Sequence, residues 1–556
     1  RSYYRSSTLP TSLDRLPPSV PEGSKRDKNM LNWVWENTLS YTTIIKDVHN
    51  LSAIAGWTAQ KESVNTSLLA GNGYPNDLVH TMNAASAITN WSATAYEWSL
   101  LSALARVQYS YKGKYLLSAA ARMDGSSRFG KNNRWGMFPS ASAGWYISEE
   151  DFMKDIKWLT SLKLRASYGI SGNFNIGNYE YYATLSEDNY VFGKADGTLA
   201  SGLRPATAGN PDLGWEKTAM FNLGLEIGLF NMLTLELDLY NSNTTDMLLN
   251  VPVAEFSGFS TVPMNIGKVN NRGWEIALTS QKNFTKDFGY SFNANYATNT
   301  NEVKALGPGN APIISTGSVD HAYYITKVGE PIGCYYLLVQ DGIFSNEEEL
   351  KKYPHFSNTQ PGDFRFVDVD GDGVMDLDKD RTIVGNYMPD FTYGFGGKVW
   401  YKGIDLDFNF QGVYGNEILN LNRRYIDNLE GNTNGTTIAL NRWKSADNPG
   451  NGQVNRANRK SKGYNGRTST WHLEDGSYLR LQNVTLGYTL PQNLTRRFFV
   501  EKLRVYVSGQ NLWTSTNYGG YNPEVNARPS NSLSPGEDYG TYPLAKTFLF
   551  GLNITL

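Results

Sequence analysis

An aspartate-rich segment carries the sharpest chemical motif in the sequence. In DVDGDGVMD (368–376), carboxylates stand at positions 1, 3, 5 and 9, and a glycine stands at position 6. Hard cations take several oxygen ligands from one tight turn, and glycine permits such a turn. The sequence therefore predicts a structural Ca²⁺ or Mg²⁺ site with no catalytic role. The expected ligands are Asp368, Asp370, Asp372, the carbonyl of Val374, Asp376 and Asp380.

The closing ligand of this loop stays open at the level of sequence. A calcium loop of this kind usually has a glutamate at position 12, and that position is Lys379 here, flanked by Asp378 and Asp380. The alternative interpretation is an acidic turn that is held by hydrogen bonds between its own side chains and its backbone.

Aromatic side chains recur in the segments between the regular elements. Their rings are suited to stack on sugars or to grip a peptide. The alternative is that they pack within their own loops. The candidate substrate contacts are Tyr179, Tyr181, Tyr190, Trp443, Trp471, Tyr518 and Tyr521.

No group of residues is spaced for catalysis. The five histidines are scattered, the single cysteine is Cys334, and no nucleophile elbow, phosphate loop or Cys/His cluster occurs. Carboxylate pairs such as Glu149-Glu150 lie in polar breaks, which favours solvated charge over a glycosidase pair. The sequence therefore predicts a protein that is not an enzyme and has no organic cofactor.

Composition limits the folds that can position these residues. At 556 residues, with a net charge of −2 and no basic stripe, the chain is not typical of a nucleic-acid-binding protein. Nowhere do 18 apolar residues run together, so no transmembrane helix is predicted. A mean hydropathy of −0.44 is still compatible with a transmembrane β-barrel, because the membrane signal of a barrel is hidden in alternation.

Alternation with a period of two dominates the chain. In 273–299, Trp274, Ile276 and Leu278 alternate with polar or small residues, and the pattern resumes after a short polar break. This period places one set of side chains on each face of a strand. Most segments have 9 to 13 residues, which suits a tilted membrane strand of roughly 9 to 11 residues. About fifteen strands are predicted, at 33–45, 48–60, 100–111, 115–123, 138–147, 162–170, 221–229, 233–240, 273–282, 288–297, 391–401, 404–412, 478–490, 503–513 and 547–556, with a bulge at Asn483.

The polar faces of these strands carry charges of both signs. A packed apolar core does not tolerate such a set, whereas the polar interior of a membrane barrel does. The charges predicted to face inward are Arg122, Lys163, Arg165, Glu226, Glu236, Asp238, Asp405, Asp407, Arg480 and Arg504.

Short and long connections alternate strictly along the chain. The long ones are expected at 61–95, 124–137, 172–214, 250–265, 300–390, 416–476 and 515–544. In an up-and-down sheet, all long loops then lie at one end, as in outer-membrane barrels with short periplasmic turns and long extracellular loops. The predicted fold is all-β: an antiparallel transmembrane β-barrel with an extracellular loop at 1–31, barrel at 32–556 and a large extracellular insertion at 302–390. Because an odd number of strands cannot close an antiparallel barrel, we expect further strands from outside this sequence.

Several longer stretches resemble one family. They include YKGKYLLSAAARMDGSSRFGKNNRWGMFPSASAGWYISEEDFM (111–153), NPDLGWEKTAMFNLGLEIGLF (210–230), GDFRFVDVDGDGVMDLDKDRTIVGNYMPDFTYGF (362–395) and LRVYVSGQNLWTSTNYGGYNPEV (503–525). On these stretches the chain resembles the C-terminal part of SusC/RagA-type TonB-dependent outer-membrane transporters of Bacteroidetes. The first hundred residues match only in general strand pattern.

The resemblance implies a larger assembly than this chain. It implies a barrel of 22 strands with an N-terminal plug in its lumen, of which this chain would supply about the eighth strand to the last. The implied partners are a SusD-like lipoprotein lid, the remaining plug and barrel portion, TonB acting through that plug, and the lipid bilayer with its lipopolysaccharide. The implied function is active import of glycans, oligosaccharides or oligopeptides across the outer membrane.

Two other classes of protein stay open from the sequence. A passive porin or surface adhesin barrel without a plug would share the strand pattern. A soluble, secreted β-rich protein that binds or hydrolyses carbohydrate would share the composition. A plug sequence on the same or a companion chain would favour the importer over the first class, and a strict requirement for detergent would exclude the second.

Overall fold

The computed structural model describes residues 2–5, 21–75, 78–79, 81–193, 197–259, 261–319, 321–431, 433–458 and 464–556. Strands dominate this part of the chain, and its helices are short. None of the helices in these ranges is long and apolar enough to cross a membrane.

Fifteen long strands form one antiparallel sheet in the described residues. Each strand pairs with the next one along the chain, so the sheet is an up-and-down meander. The predicted number of strands is confirmed. The strands are β1 (Glu22–Ile45), β2 (His49–Asn72), β3 (Ala87–Tyr111), β4 (Tyr115–Ser126), β5 (Trp135–Tyr146), β6 (Leu159–Asn173), β7 (Glu216–Leu229), β8 (Leu233–Thr245), β9 (Lys268–Thr285), β10 (Phe288–Ala297), β11 (Phe391–Tyr401), β12 (Ile404–Tyr414), β13 (Tyr478–Thr489), β14 (Lys502–Thr516) and β15 (Thr547–Thr555).

The short connections are tight hairpin turns. Lys112 and Gly113 between β3 and β4 have φ values of 53° and 69°, and Lys402 and Gly403 between β11 and β12 have 46° and 87°. Two consecutive residues with positive φ fit the type I′ turn, whose twist matches that of the flanking strands. These turns fix the register of each hairpin, and therefore which side chains face each way.

The register puts the apolar and polar sets on opposite faces of the sheet. Leu239 of β8 lies opposite Leu223 of β7 and Trp274 of β9 on the apolar face. On the polar face, Arg165 of β6 donates to Asp238 of β8 across 2.6 Å. The predicted bulge at Asn483 is confirmed one residue away: Gln482 is the extra residue, because Leu481 and Asn483 lie opposite the consecutive residues Phe410 and Asn409 of β12.

The first three strands are longer than the sequence indicated. β1 begins at Glu22, ten residues before the predicted start of the barrel, and β2 and β3 extend so far that only 73–86 connects them. The predicted loop at 61–95 is therefore wrong. A strand of 24 residues reaches about 80 Å, against a hydrocarbon layer of about 30 Å, so these strands continue well beyond the membrane at the long-loop end.

The two edges of the sheet are open in the described residues. Ser2–Arg5 pairs with the first residues of β1, and β15 pairs only with β14. Residues 1 and 6–20 of the predicted loop 1–31 lie outside the described residues. At the predicted insertion 302–390, Thr300–Ala305 pairs with the start of β9, which anchors this loop to the sheet.

Three long connections, 298–390, 415–477 and 517–546, pack together into one unit that we call the loop body. Leu419 pairs with Glu537 in a parallel bridge between two of these connections. Tyr324 and Tyr335 from the first connection pack with Leu419 and Leu421 from the second in a fully buried cluster. The loop body therefore has its own hydrophobic core, outside the sheet of β1 to β15, which we call the wall.

Candidate functional site

The acidic loop of the sequence motif is a compact turn on the loop body. Asp368 accepts hydrogen bonds from the backbone N–H of Gly371 (2.7 Å) and of Gly373 (2.9 Å), and Asp372 accepts from Val374 N–H (2.8 Å). Gly371 and Gly373 have φ values of 73° and 82°, the left-handed region that favours glycine. The turn thus depends on the residue types at these positions.

Three of the predicted ligands come together. Carboxylate oxygens of Asp368, Asp370 and Asp372 lie within 4.8 Å of one another. Lys379 lies beside them, with its Nζ 3.4 Å from Asp372, and this hydrogen bond raises the pKa of Lys379. Oxygen donors of this kind are the ones that Ca²⁺ and Mg²⁺ prefer, so the residues present fit a hard divalent cation.

The predicted ligands Asp376 and Asp380 accept hydrogen bonds from backbone N–H groups of the same turn. Asp380 is fully buried, and its two oxygens accept from the N–H groups of Val369 (2.9 Å) and Asp376 (2.6 Å). Asp376 accepts from the N–H of Asp378 at 2.6 Å, and this bond holds the pKa of Asp376 below its usual range. Asp380 therefore braces the two ends of the turn through the backbone.

The turn is fixed to the core of the loop body by its own apolar residue. Met375 is buried in a cluster with Phe356, Phe364 and Phe366, and Trp471 packs against the same cluster. A stiff support of this kind keeps the three carboxylates together without a contribution from the barrel wall.

The aromatic candidates do not form one site. Tyr521 is 80% exposed, and Tyr190, on the short strand Tyr190–Phe192, is 66% exposed. Tyr179 accepts a hydrogen bond from the N–H of Glu97 through its hydroxyl (3.0 Å), and Tyr181 packs near a cluster around Trp215. Only rings with a free face are suited to stack on a ligand, which favours Tyr190 and Tyr521.

Three of the aromatic candidates lie in the core of the loop body. Trp443 and Trp471 pack against the cluster around Phe364, and Trp471 also stacks with the Arg423 guanidinium at 4.2 Å. Tyr518 is 5% exposed, and its hydroxyl donates to Asp538 at 2.5 Å. For these three residues the structure favours packing within the loops, the alternative that the sequence left open.

Sequence reasoning missed an aromatic pair on the surface of the loop body. The hydroxyls of Tyr425 and Tyr539 lie 3.2 Å apart, and both rings are partly exposed. No local signal could have found this pair, because it joins two loops that are more than one hundred residues apart in the chain.

Several of the inward charges of the sheet form ion pairs. Arg504 of β14 donates to both oxygens of Asp405 on β12, at 2.8 and 2.5 Å. Arg480 donates to Asn522 at 2.7 Å and forms an ion pair with Glu524, which ties β13 to the loop body. The polar face of the wall is therefore a braced, charged surface.

Comparison with known proteins matches this architecture. The family profile described as "TonB dependent receptor-like, beta-barrel" matches residues 1–326, more than half of the chain. The chain belongs to this family of β-barrels. Its members are outer-membrane proteins and are transporters or receptors, so the predicted location is confirmed, as is the prediction that the protein is not an enzyme.

Curated relatives agree with the family. The chain is 34% identical to TonB-dependent receptor P3 of Formosa agariphila, over 95% of this chain and 52% of that protein. It is 33% identical to TonB-dependent receptor SusC of Bacteroides thetaiotaomicron, over 83% of this chain and 44% of that protein. The chain therefore spans about half the length of the curated relatives that it matches.

A solved structure extends the agreement to the fold. The structure of the RagAB peptide transporter matches all of this chain and 58% of the solved chain, with a TM-score of 0.83 and 28% identity. The RagAB peptide importer in its "open-open" state matches with a TM-score of 0.82. The SusC/RagA resemblance predicted from the sequence is confirmed.

Proposed function

We propose that the full-length protein that contains this chain is an active importer of oligosaccharides or oligopeptides in the outer membrane. The observation that carries the proposal is the fifteen-stranded wall, whose charged, ion-paired inner face fits a large barrel that surrounds further protein. The similarity to SusC and to the RagAB peptide transporter supports the same function. The second candidate is a passive porin or adhesin, and it needs neither a plug nor an energy source.

The partners in this proposal follow from the family. A SusD-like lipoprotein would cover the long-loop end, and TonB would act through a plug in the remaining N-terminal portion. The loop body offers the lipoprotein a rigid surface, because its three connections share one core. The lipid bilayer and lipopolysaccharide would contact the apolar face of the wall.

Uptake by intact cells distinguishes active import from passive flow. Cells that express the full-length protein are supplied with a labelled oligosaccharide or oligopeptide, with and without an uncoupler of the proton-motive force. If import is active, uptake should stop when the uncoupler is added. Uptake that continues unchanged would favour a passive porin, and an absence of uptake with both ligand classes would favour an adhesin.

Tyr190 and Tyr521 are the aromatic residues proposed to contact the substrate, because both rings are exposed in the long loops. Loss of one stacking side chain should weaken uptake several-fold at low substrate concentration. The matched control is Phe256→Ala, which removes an even more exposed aromatic ring from another loop. Equal effects of Tyr521→Ala and Phe256→Ala would exclude a specific role for Tyr521.

The acidic loop is proposed to bind a structural Ca²⁺, with Mg²⁺ as the alternative ion. The proximity of Asp368, Asp370 and Asp372 supports this assignment. Removal of Ca²⁺ with a chelator should speed proteolytic cleavage within 298–390, and Asp370→Asn should give the same cleavage pattern without chelator. The control is Asp341→Asn, which changes a carboxylate of the same connection outside the motif. Cleavage that is unchanged by chelator would contradict the metal site.

A further inference from the structure

The turn 490–501, between β13 and β14, exposes two phenylalanines at the short-turn end of the wall. Phe498 is 77% exposed and Phe499 is 93% exposed. Phe499 has a φ of 59°, a left-handed conformation that is uncommon for a bulky residue. Adjacent large apolar side chains that are exposed indicate a surface that binds an apolar ligand.

Four basic residues lie in this turn or next to it. Arg496 and Arg497 precede them, and Lys402 and Lys502 lie on the adjacent turn and strand. None of these four cations forms an ion pair with a carboxylate in the described part of the chain, although Glu501 is close in sequence. The Nζ of Lys402 lies 5.2 Å from the centre of the Tyr401 ring, an arrangement that is typical of the interface between membrane and water.

An apolar groove begins beside these cations on the lipid-facing side of the wall. It has a volume of about 640 Å³, which is within the usual range for small-molecule sites. Backbone hydrogen bonds from Thr489 to Gly403 (2.7 Å) and from Leu490 to Leu503 (2.9 Å) hold the turns at the mouth of the groove. The groove is lined by Ile404, Leu486, Tyr488, Val505, Val507 and Phe550.

We propose that this corner of the wall is a binding site for an anionic glycerophospholipid of the periplasmic leaflet. The phosphate would lie among Arg496, Arg497, Lys402 and Lys502, an acyl chain would lie in the groove, and Phe498 and Phe499 would insert at the interface. Basic residues near a membrane surface each contribute about 1 kcal/mol of attraction to anionic lipid. A protein partner would not explain why the cations open onto a groove that faces lipid.

Three other connections at the short-turn end of the wall carry balanced charge, in contrast to the turn 490–501. The connections 46–48, 112–114 and 147–158 carry five basic and five acidic residues. Two of the basic residues form ion pairs, Lys114 with Glu150 and Lys154 with Asp151. The attraction for anionic lipid should therefore be concentrated at the turn 490–501, and not spread around the short-turn end.

Lipid binding is measured by native mass spectrometry on the full-length protein in detergent, titrated with dioleoyl phosphatidylglycerol and, separately, with dioleoyl phosphatidylcholine. The double variant Arg496→Gln/Arg497→Gln should weaken binding of phosphatidylglycerol by about thirtyfold. It should leave the weaker binding of phosphatidylcholine unchanged. The control variant Lys46→Gln/Lys112→Gln removes the same number of cations from the balanced turns and should have little effect.

Equal losses in the two double variants, or no loss in either, would overturn the site. A photo-crosslinking residue at position 499 provides a second readout in cells that does not depend on detergent. Adducts with phospholipid are expected there, and adducts with a protein alone would overturn the proposal in favour of a periplasmic partner. Import activity does not enter either readout, so the lipid site is tested separately from the proposed transport.

Discussion

The wall and the loop body place the same kinds of side chain in opposite surroundings. Phe550 on β15 is 81% exposed, whereas Phe364 in the loop body is 2% exposed. Apolar side chains of the wall point outward because their solvent is lipid, and those of the loop body point inward because their solvent is water. One chain therefore follows two rules of burial, and the boundary between them lies where the strands leave the membrane.

The largest expected contrast between the two regions comes from removing a phenylalanine in each. Phe364→Ala should destabilise the loop body by about 3–5 kcal/mol, because it leaves a cavity in a packed core. Phe550→Ala should have a much smaller effect, because lipid fills the space. Hydrogen exchange of the purified protein measures both, with faster exchange expected in 338–343 and 364–366 only for Phe364→Ala. Similar effects of the two changes would remove the distinction between the regions.

A charge placed on each face of the wall tests the assignment of its two sides. Leu406→Arg on β12 should cost about 2–4 kcal/mol if that side chain lies near the bilayer midplane, since lipid does not solvate the guanidinium. Asn409→Arg on the same strand faces the polar interior and serves as the control. Unfolding in guanidinium chloride, measured on each variant in lipid vesicles, gives the two changes in the free energy of unfolding. A larger loss for Asn409→Arg would reverse the assigned faces.

Acid should affect the loop body more than the wall. His472 is fully buried in the loop body, and burial lowers the pKa of its imidazole to about 3. An unfolded chain binds a proton at this residue below about pH 6.5, whereas the folded loop body does not. The contribution of His472 to the free energy of unfolding is therefore fully present above pH 6.5. It falls by about 1.4 kcal/mol for each pH unit between 6.5 and 3.

His472→Asn should flatten this pH dependence, since asparagine does not titrate and its oxygen can replace Nδ1 as acceptor for the Ser469 N–H. Hydrogen exchange in 415–477 between pH 7 and pH 4.5, corrected for the intrinsic rate, compares the two proteins. The same acid dependence in both would show that His472 does not control it.

The wall could be predicted from sequence because its signal is local. Alternation of apolar and polar residues located fifteen strands, and a slip in that alternation at Asn483 located the bulge to within one residue of Gln482. The extensions of β1 to β3 escaped prediction because neither face of a strand meets lipid beyond the bilayer, so that the contrast between an apolar and a polar face disappears. The segment 61–72 of β2, KESVNTSLLAGN, shows this loss of contrast.

The loop body could not be predicted, because its contacts join distant parts of the chain. Leu419 and Glu537 are neighbours in a sheet although more than one hundred residues separate them. In the acidic loop, spacing alone correctly gathered Asp368, Asp370 and Asp372. The bracing role of Asp380 and the burial of Tyr518 depend on the fold around them, and spacing holds no information about either.

The central claim is that the apolar face of the wall meets lipid, whereas the surface of the loop body meets water. The most direct test is to label the protein separately from the lipid and from the water. The full-length protein in lipid nanodiscs is labelled once with a photoactivated carbene carried on lipid acyl chains and once with hydroxyl radicals in water. Carbene labels are expected on Leu239, Leu406 and Phe550, and radical labels on exposed loop residues such as Tyr521. Phe364 and Leu419 should stay free of both. Carbene labelling in the loop body, or radical labelling along the apolar face of β8 and β12, would contradict the account.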